Sequence, residues 1–327
     1  MRVLFLNQII GELGGAEVVV ENVRRRSRHT IDLRTPREVD GDTLDDYDAV
    51  HVHNVAPAPL VNLLSGRRYV LSLHDYRLDC VSYLKSCLVE GTTDCKRCMG
   101  LVTYTRRRRK QKQLRKLVAQ ATRVVVHSRY MRDYYGHLNP IYLPIPLEVD
   151  SMTRIRNVDR GDYLFYSARC DGEKNPLEFV ALCRGLEREG VMALYNLAGT
   201  PRFKPYIRQL RHPLIDIHLN PDRETLFDLY ARAHATVHPY RYAEPFGIAN
   251  ANSILLGTPL LSYPHGNLKN LATFTAETPA QLASLVAETY EDPDFYAYLL
   301  EKTERMRRVL AEEHDSIARW DELYETL

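Results

Sequence analysis

Short apolar runs alternate with longer stretches whose apolar positions recur every three or four residues, and this alternation of strand and helix patterns persists along nearly the whole chain. Arg2 to Asn7 (RVLFLN) reads as a strand, followed by a Gly-rich turn and a helix beginning near Ala16. YDAVHVHN (47–54) and YVLSLHD (69–75) repeat the strand pattern, and RVVVHSRYMRDYY adds a buried strand, a capping Ser128 and a helix. A polar, Pro-containing stretch at 140–161 then interrupts the pattern and marks a domain boundary. Beyond it YLFYSARCDGEKNP, ALYNLAGT, IDIHLNPD and HATVHPY give further strand-then-turn units, with helices such as ETLFDLYARAH between them. Strands separated by crossover helices predict parallel sheets, so the expectation is an α/β chain with two Rossmann-like parallel-sheet domains. The tail from 292 to 327 reads as helical, with Trp320 and Tyr324 four apart as packing anchors.

Composition sharpens this picture. At 327 residues, 45% hydrophobic and 26% charged, the chain can fill two cores of about 150 residues each. No apolar run reaches the roughly 18–20 residues that span a bilayer, and the first residues lack a signal-peptide pattern, so a cytoplasmic protein is expected. The net charge is only +2, yet Arg106 to Lys116 is nearly all basic on a predicted helix. Such a strip suits nucleic-acid phosphates, the anionic inner face of a membrane at which the protein would be peripheral, or plain solvent. No aromatic residues interleave it, which counts against stacking on single strands. Of six cysteines, four stand at Cys80, Cys87, Cys95 and Cys98, ending in CKRC. They suit a structural Zn²⁺ or a loop of free thiols within 76–103, and both readings stay open.

Candidate chemistry collects where predicted strands end, the edge at which open parallel sheets bind ligands. Gly14 and Gly15 follow the first strand, but the G-x-G-x-x-G spacing is absent and a nicotinamide cofactor is not expected. His53 and Asn54 end one strand, His74 and Asp75 another, and Arg169 with Lys174 flank the loop after a third. The stretch YRYAEPFGIANANSILLGTP (240–259) is a loop feeding a helix N-terminus, whose unpaired N–H groups and partial positive charge suit an anionic or hydroxyl-rich ligand. There Glu244 is placed to accept from ligand hydroxyls and Gly247 to let a ligand approach the backbone.

Glu244-Pro245-Phe246-Gly247-Ile248 resembles the signature of the family 4 glycosyltransferases, retaining enzymes of GT-B fold. The resemblance extends to Gly14–Glu17 (G-G-A-E), to the H-D at His74–Asp75 and to the Arg169, Lys174 pair, and covers nearly the whole chain. It implies two domains facing each other across a cleft: an acceptor-side domain over 1–147, a donor-binding domain over 148–310, and a last helix over 311–327 crossing back to the first domain. The co-substrate would be a nucleotide-diphosphate sugar, with Arg169 and Lys174 on its diphosphate, Glu244 and His74 on its sugar, and Gly14, Gly15 and the 245–248 loop lining the donor site. His53, Asn54 and Asp75 would lie on the acceptor side. The family's second Glu, eight residues after the first, is Asn252 here, and an amide still donates to and accepts from ribose hydroxyls. No D-x-D-like motif ends a strand, so no catalytic metal is expected. The acceptor is expected to be a glycan or lipid-linked saccharide, with a hydroxylated DNA base as the alternative. A weakly catalytic module binding nucleotide sugar or nucleic acid is a reading of a different class.

Overall fold

The computed structural model describes residues 1–7, 15–53, 58–82, 100–153, 155, 158–170, 172–195 and 203–327. The chain divides into two compact units, Met1–Leu147 with Asp315–Leu327, and Glu148–His314.

The first unit carries β1 (Arg2–Asn7), β2 (Thr30–Arg34), β3 (Ala49–His53), β4 (Val70–Leu73), β5 (Arg123–Val126) and β6 (Ile141–Tyr142), in the order β2-β1-β3-β4-β5-β6. All neighbours pair in parallel, with Val3 opposite both Ile31 and Ala49, for example. The continuous apolar wording of β1, β3 and β4 follows from burial on both faces: all but the first residue of β1, and all of β3 and β4, are buried. The last helix, Ile317–Glu325, closes this unit, with Trp320 and Tyr324 fully buried. Trp320 Nε1 donates to Pro144 O at 2.8 Å and the indole stacks on His127.

The second unit carries β7 (Leu164–Arg169), β8 (Gly190–Tyr195), β9 (Ile215–Leu219), β10 (Ala235–His238), β11 (Leu260–Ser262) and β12 (Phe274–Thr275), ordered β12-β11-β10-β7-β8-β9 and again all parallel. Chain order therefore reverses direction between β7 and β10, and the loops leaving these two strands meet at the topological switch point. Local chemistry fixes the helices between them. Asp222 caps Arg223–Arg232 by accepting from Thr225 N at 2.8 Å, and Thr278 with Pro279 opens Pro279–Glu291. Among the described residues no helix is long and apolar enough to cross a membrane.

Candidate functional site

The switch point of the second unit brings together residues some seventy positions apart in sequence. The loop after β7 ends in a 3₁₀ turn, Gly172–Lys174, whose last carbonyl accepts from Tyr166 OH at 2.9 Å while Arg241 N bonds Glu173 O. Lys174 Nζ is thereby carried to Glu244 in the loop after β10, and forms an ion pair of 2.8 Å with Oε2. Both side chains are largely buried, and Tyr242 OH bridges them, accepting from Lys174 and donating to the same Glu244 oxygen. The ammonium also lies 4.1 Å from the Tyr240 ring centroid and 4.7 Å from that of Tyr242, an aromatic wall for a desolvated cation. Glu244 Oε1 has no partner among the described residues.

A second segment holds Glu244 in place. Gly266 forms an isolated parallel bridge with it, Asn267 N donates to Glu244 O at 2.7 Å, and Asn267 Nδ2 donates to Phe246 O at 2.9 Å. The helix Ile248–Leu255 then starts at Gly247, with φ 92° and ψ 70°. A Cβ there would stand 2.3 Å from Asn250 Nδ2 and 3.0 Å from Glu244 Cγ, so glycine is required by the protein's own packing as well as by the left-handed turn. Pro245 and Ile248 are partly exposed beside the buried Phe246, and Asn252 is buried with Oδ1 lacking a hydrogen-bond partner. Arg169 ends β7, partly exposed, five residues before Lys174.

The first unit places the other candidates at the ends of β3 and β4. His53 Nδ1 and His74 Nε2 are 3.0 Å apart, and His53 stacks on His51, whose ring nitrogens bond Tyr324 OH and Ser72 Oγ. Burial holds His51, His53 and His74 well below the usual imidazole range, so each is a neutral hydrogen-bonding group at ordinary pH. Asp75 is gripped by Arg77, which donates to it from Nε at 2.9 Å and NH2 at 2.7 Å as well as from its backbone N–H. Gly15 opens the helix Gly15–Arg26. Gly14, Asn54, Cys87, Cys95 and Cys98 lie outside the described residues. Cys80 is buried with Sγ 3.0 Å from Ser82 Oγ, and among the described residues no three His, Cys, Asp or Glu side chains are grouped to hold a metal.

Sequence reasoning missed Tyr240, Tyr242, His238 with Asn250, Gly266 with Asn267, and Arg77. The Tyr-x-Tyr alternation entering the E-P-F-G loop and the P-H-G-N turn after β11 were the available signals; pairing them needed the fold.

Against this geometry, comparison with known proteins locates the site within a matched region. Residues 151–306 match the family model of the glycosyl transferases group 1. That stretch spans β7 to β12 and every second-unit residue described above. No curated protein matches the chain. Solved structures share the fold over the full length. HepE of Anabaena, in complex with UDP and glucose, is 15% identical with a TM-score of 0.72, covering 100% of this chain and 99% of its own. Sucrose-phosphate synthase of Thermosynechococcus elongatus is 14% identical with a TM-score of 0.69, covering 99% and 98%. AviGT4, a glycosyltransferase involved in avilamycin A biosynthesis, is 17% identical with a TM-score of 0.60, covering 100% and 97%. The architecture is that of the two-domain GT-B fold.

Proposed function

We propose that the chain is a retaining glycosyltransferase of family 4 type, which moves a sugar from a nucleotide-diphosphate sugar to an acceptor hydroxyl. The observation that carries this reading is the meeting of Lys174, Glu244 and the open N-terminus of Ile248–Leu255 at the switch point, within the matched region. HepE, of the same fold, is crystallised with UDP and glucose. On this reading Glu244 Oε1 accepts from donor-sugar hydroxyls, Asn252 from the ribose, and Arg169, Lys174 and the helix N-terminus offset charge developing on the leaving diphosphate.

Glu244 is already compensated by Lys174 and Tyr242, which supports a reaction without a carboxylate nucleophile. The acceptor oxygen attacks the anomeric carbon from the face the diphosphate leaves. The sugar–phosphate bond breaks as the new glycosidic bond forms, and the acceptor proton passes to a phosphate oxygen. Protein groups meet the leaving charge, so turnover should survive chelation of divalent cations. The donor-sugar role of His74 and the acceptor-side roles of His53, Asn54 and Asp75 belong to the same proposal.

The test is a panel of nucleotide sugars assayed for transfer and for slow hydrolysis that releases free nucleotide. Arg169→Ala and Lys174→Ala should each lower turnover by about a hundredfold, since a desolvated diphosphate loses a charge-assisted partner. Near-normal turnover in both overturns the diphosphate role of Arg169 and Lys174, whereas binding without any release in the wild type overturns the enzymatic reading in favour of a binding module.

For the acceptor, a glycan or lipid-linked saccharide is the leading class. The helix Leu101–Gln120 carries eight basic and no acidic residues, with Leu101 67% and Val102 85% exposed at its start. Cations beside exposed apolar side chains suit an anionic lipid surface. A hydroxylated DNA base is the second reading, favoured by the same cations. It predicts duplex binding that weakens by roughly 10³ or more between 50 and 200 mM salt, for six or more phosphate contacts. Absence of DNA binding at low salt removes it.

A further inference from the structure

The first turn of Ile248–Leu255 holds more donors than its backbone supplies. Asn250 N and Ala251 N both bond Gly247 O, at 3.0 and 2.9 Å, while the N–H groups of Gly247, Ile248 and Ala249 have no acceptor among the described residues. Beside them stands the Asn250 side chain, fully buried, whose Nδ2 has no hydrogen-bond partner.

The orientation of that amide is fixed by its neighbour. His238, at the end of β10, receives the Ser167 backbone N–H on Nε2 at 3.2 Å, so that nitrogen carries the lone pair and the proton sits on Nδ1. Nδ1–H therefore donates to Asn250 Oδ1, 2.5 Å away. A flipped amide would set N–H against N–H. Burial pushes the His238 imidazole down to about 3, so this tautomer holds across ordinary pH. The Asn250 NH₂ group is thus turned toward Gly247, into the space a Cβ there would fill and close to Glu244.

Four donors without acceptors at one helix start, none of them an acceptor itself, match an anionic oxygen better than a hydroxyl. We infer that Asn250 is a phosphate-binding residue, its Nδ2, beside Glu244, donating to an oxygen of the donor's second, sugar-bearing phosphate, which a nucleoside monophosphate lacks, and that His238 positions it by fixing the amide. This rests on the proposed use of a nucleotide-diphosphate sugar. A buried N–H group left unpaired is costly, and the bound diphosphate removes that cost.

Asn250→Asp keeps the shape and the His238 contact but replaces the donor with a negative oxygen. Binding is measured by calorimetry with inorganic pyrophosphate and with the uridine, guanosine and adenosine diphosphates and monophosphates. Asn250→Asp should weaken diphosphate and pyrophosphate by about a hundredfold and leave the corresponding monophosphate within about threefold. Asn250→Ser, a gentler change should the aspartate variant fail to fold, should lose about tenfold with the same split. His238→Phe should reproduce that split, because the amide is then free to turn. Diphosphate binding within threefold of wild type in the folded Asn250 variants, or equal losses for mono- and diphosphate, overturns the assignment. If the wild type binds no diphosphate and hydrolyses no nucleotide sugar, the donor reading itself falls; if it does both and the variants are unchanged, only the role of Asn250 falls.

Discussion

Gly266→Ala should cost far more than Gly257→Ala, although both glycines occupy the left-handed region, at φ +65° and +81°. A Cβ on Gly257 would meet nothing nearer than Arg160 NH2 at 3.8 Å, so only the backbone conformation is penalised. For a non-glycine residue that is about 1–2 kcal/mol. A Cβ on Gly266 would stand 2.4 Å from Glu244 N, 2.5 Å from Glu244 O and 2.7 Å from Ala243 C. These are backbone atoms that cannot rotate away, so overpacking adds about 1–3 kcal/mol to the same conformational cost. The totals are about 1–2 kcal/mol for Gly257→Ala and about 2–5 kcal/mol for Gly266→Ala. At about 2–4 °C per kcal/mol, the midpoints of thermal unfolding followed by near-UV circular dichroism should fall by about 2–8 °C and about 4–20 °C. Function should divide more sharply. The added methyl displaces the loop carrying the Glu244 carboxylate, so hydrolysis of the preferred nucleotide sugar, assayed well below both midpoints, should collapse in Gly266→Ala and persist in Gly257→Ala. Equal stability of the two variants, or wild-type hydrolysis by Gly266→Ala, would refute the clamp.

Trp320→Ala should destabilise the first unit by about 3–5 kcal/mol through the cavity it leaves and the loss of a donor to Pro144 O, read from chemical unfolding; a loss under 1 kcal/mol would show that the last helix is not an anchor of this unit. Stability should fall at acid pH. His234, between the rings of Tyr290 and Tyr296 at 4.0 and 4.1 Å, is pushed by burial down to about 4, and His238 to about 3, from an ordinary value of 6.5. Below 6.5 the unfolded chain binds protons these folded sites refuse, so their contribution is complete above that pH and is lost as pH drops toward 4 and then 3. His234→Phe should flatten the slope of unfolding free energy between pH 6.5 and 4, and an unchanged slope would exclude His234 as a source.

Much of the architecture was legible because parallel strands buried on both faces must be written as short apolar runs, and crossover helices as longer periodic ones. RVLFLN, VHVH and RVVV could hardly be anything else once helical stretches were found between them. The E-P-F-G loop before a helix could be read from Gly247 and the spacing of Ile248, Ala251 and Ile254, and Ser128 read as a cap stands as one, accepting from Met131 N. These are local matters, settled within a few residues. Tertiary structure decided the rest. No spacing rule pairs Lys174 with Glu244 and Tyr242, because that pairing exists only where chain order reverses between β7 and β10. Gly247 read alone suggested room for a ligand; folded, it also makes room for Asn250 and Glu244. Which nitrogen of His238 holds the proton, and hence which way the Asn250 amide faces, depends on a backbone N–H seventy-one residues away. A sequence fixes its local conformations through short-range sterics and periodicity, whereas the hydrogen-bond roles of buried polar groups are set by whatever the fold packs against them.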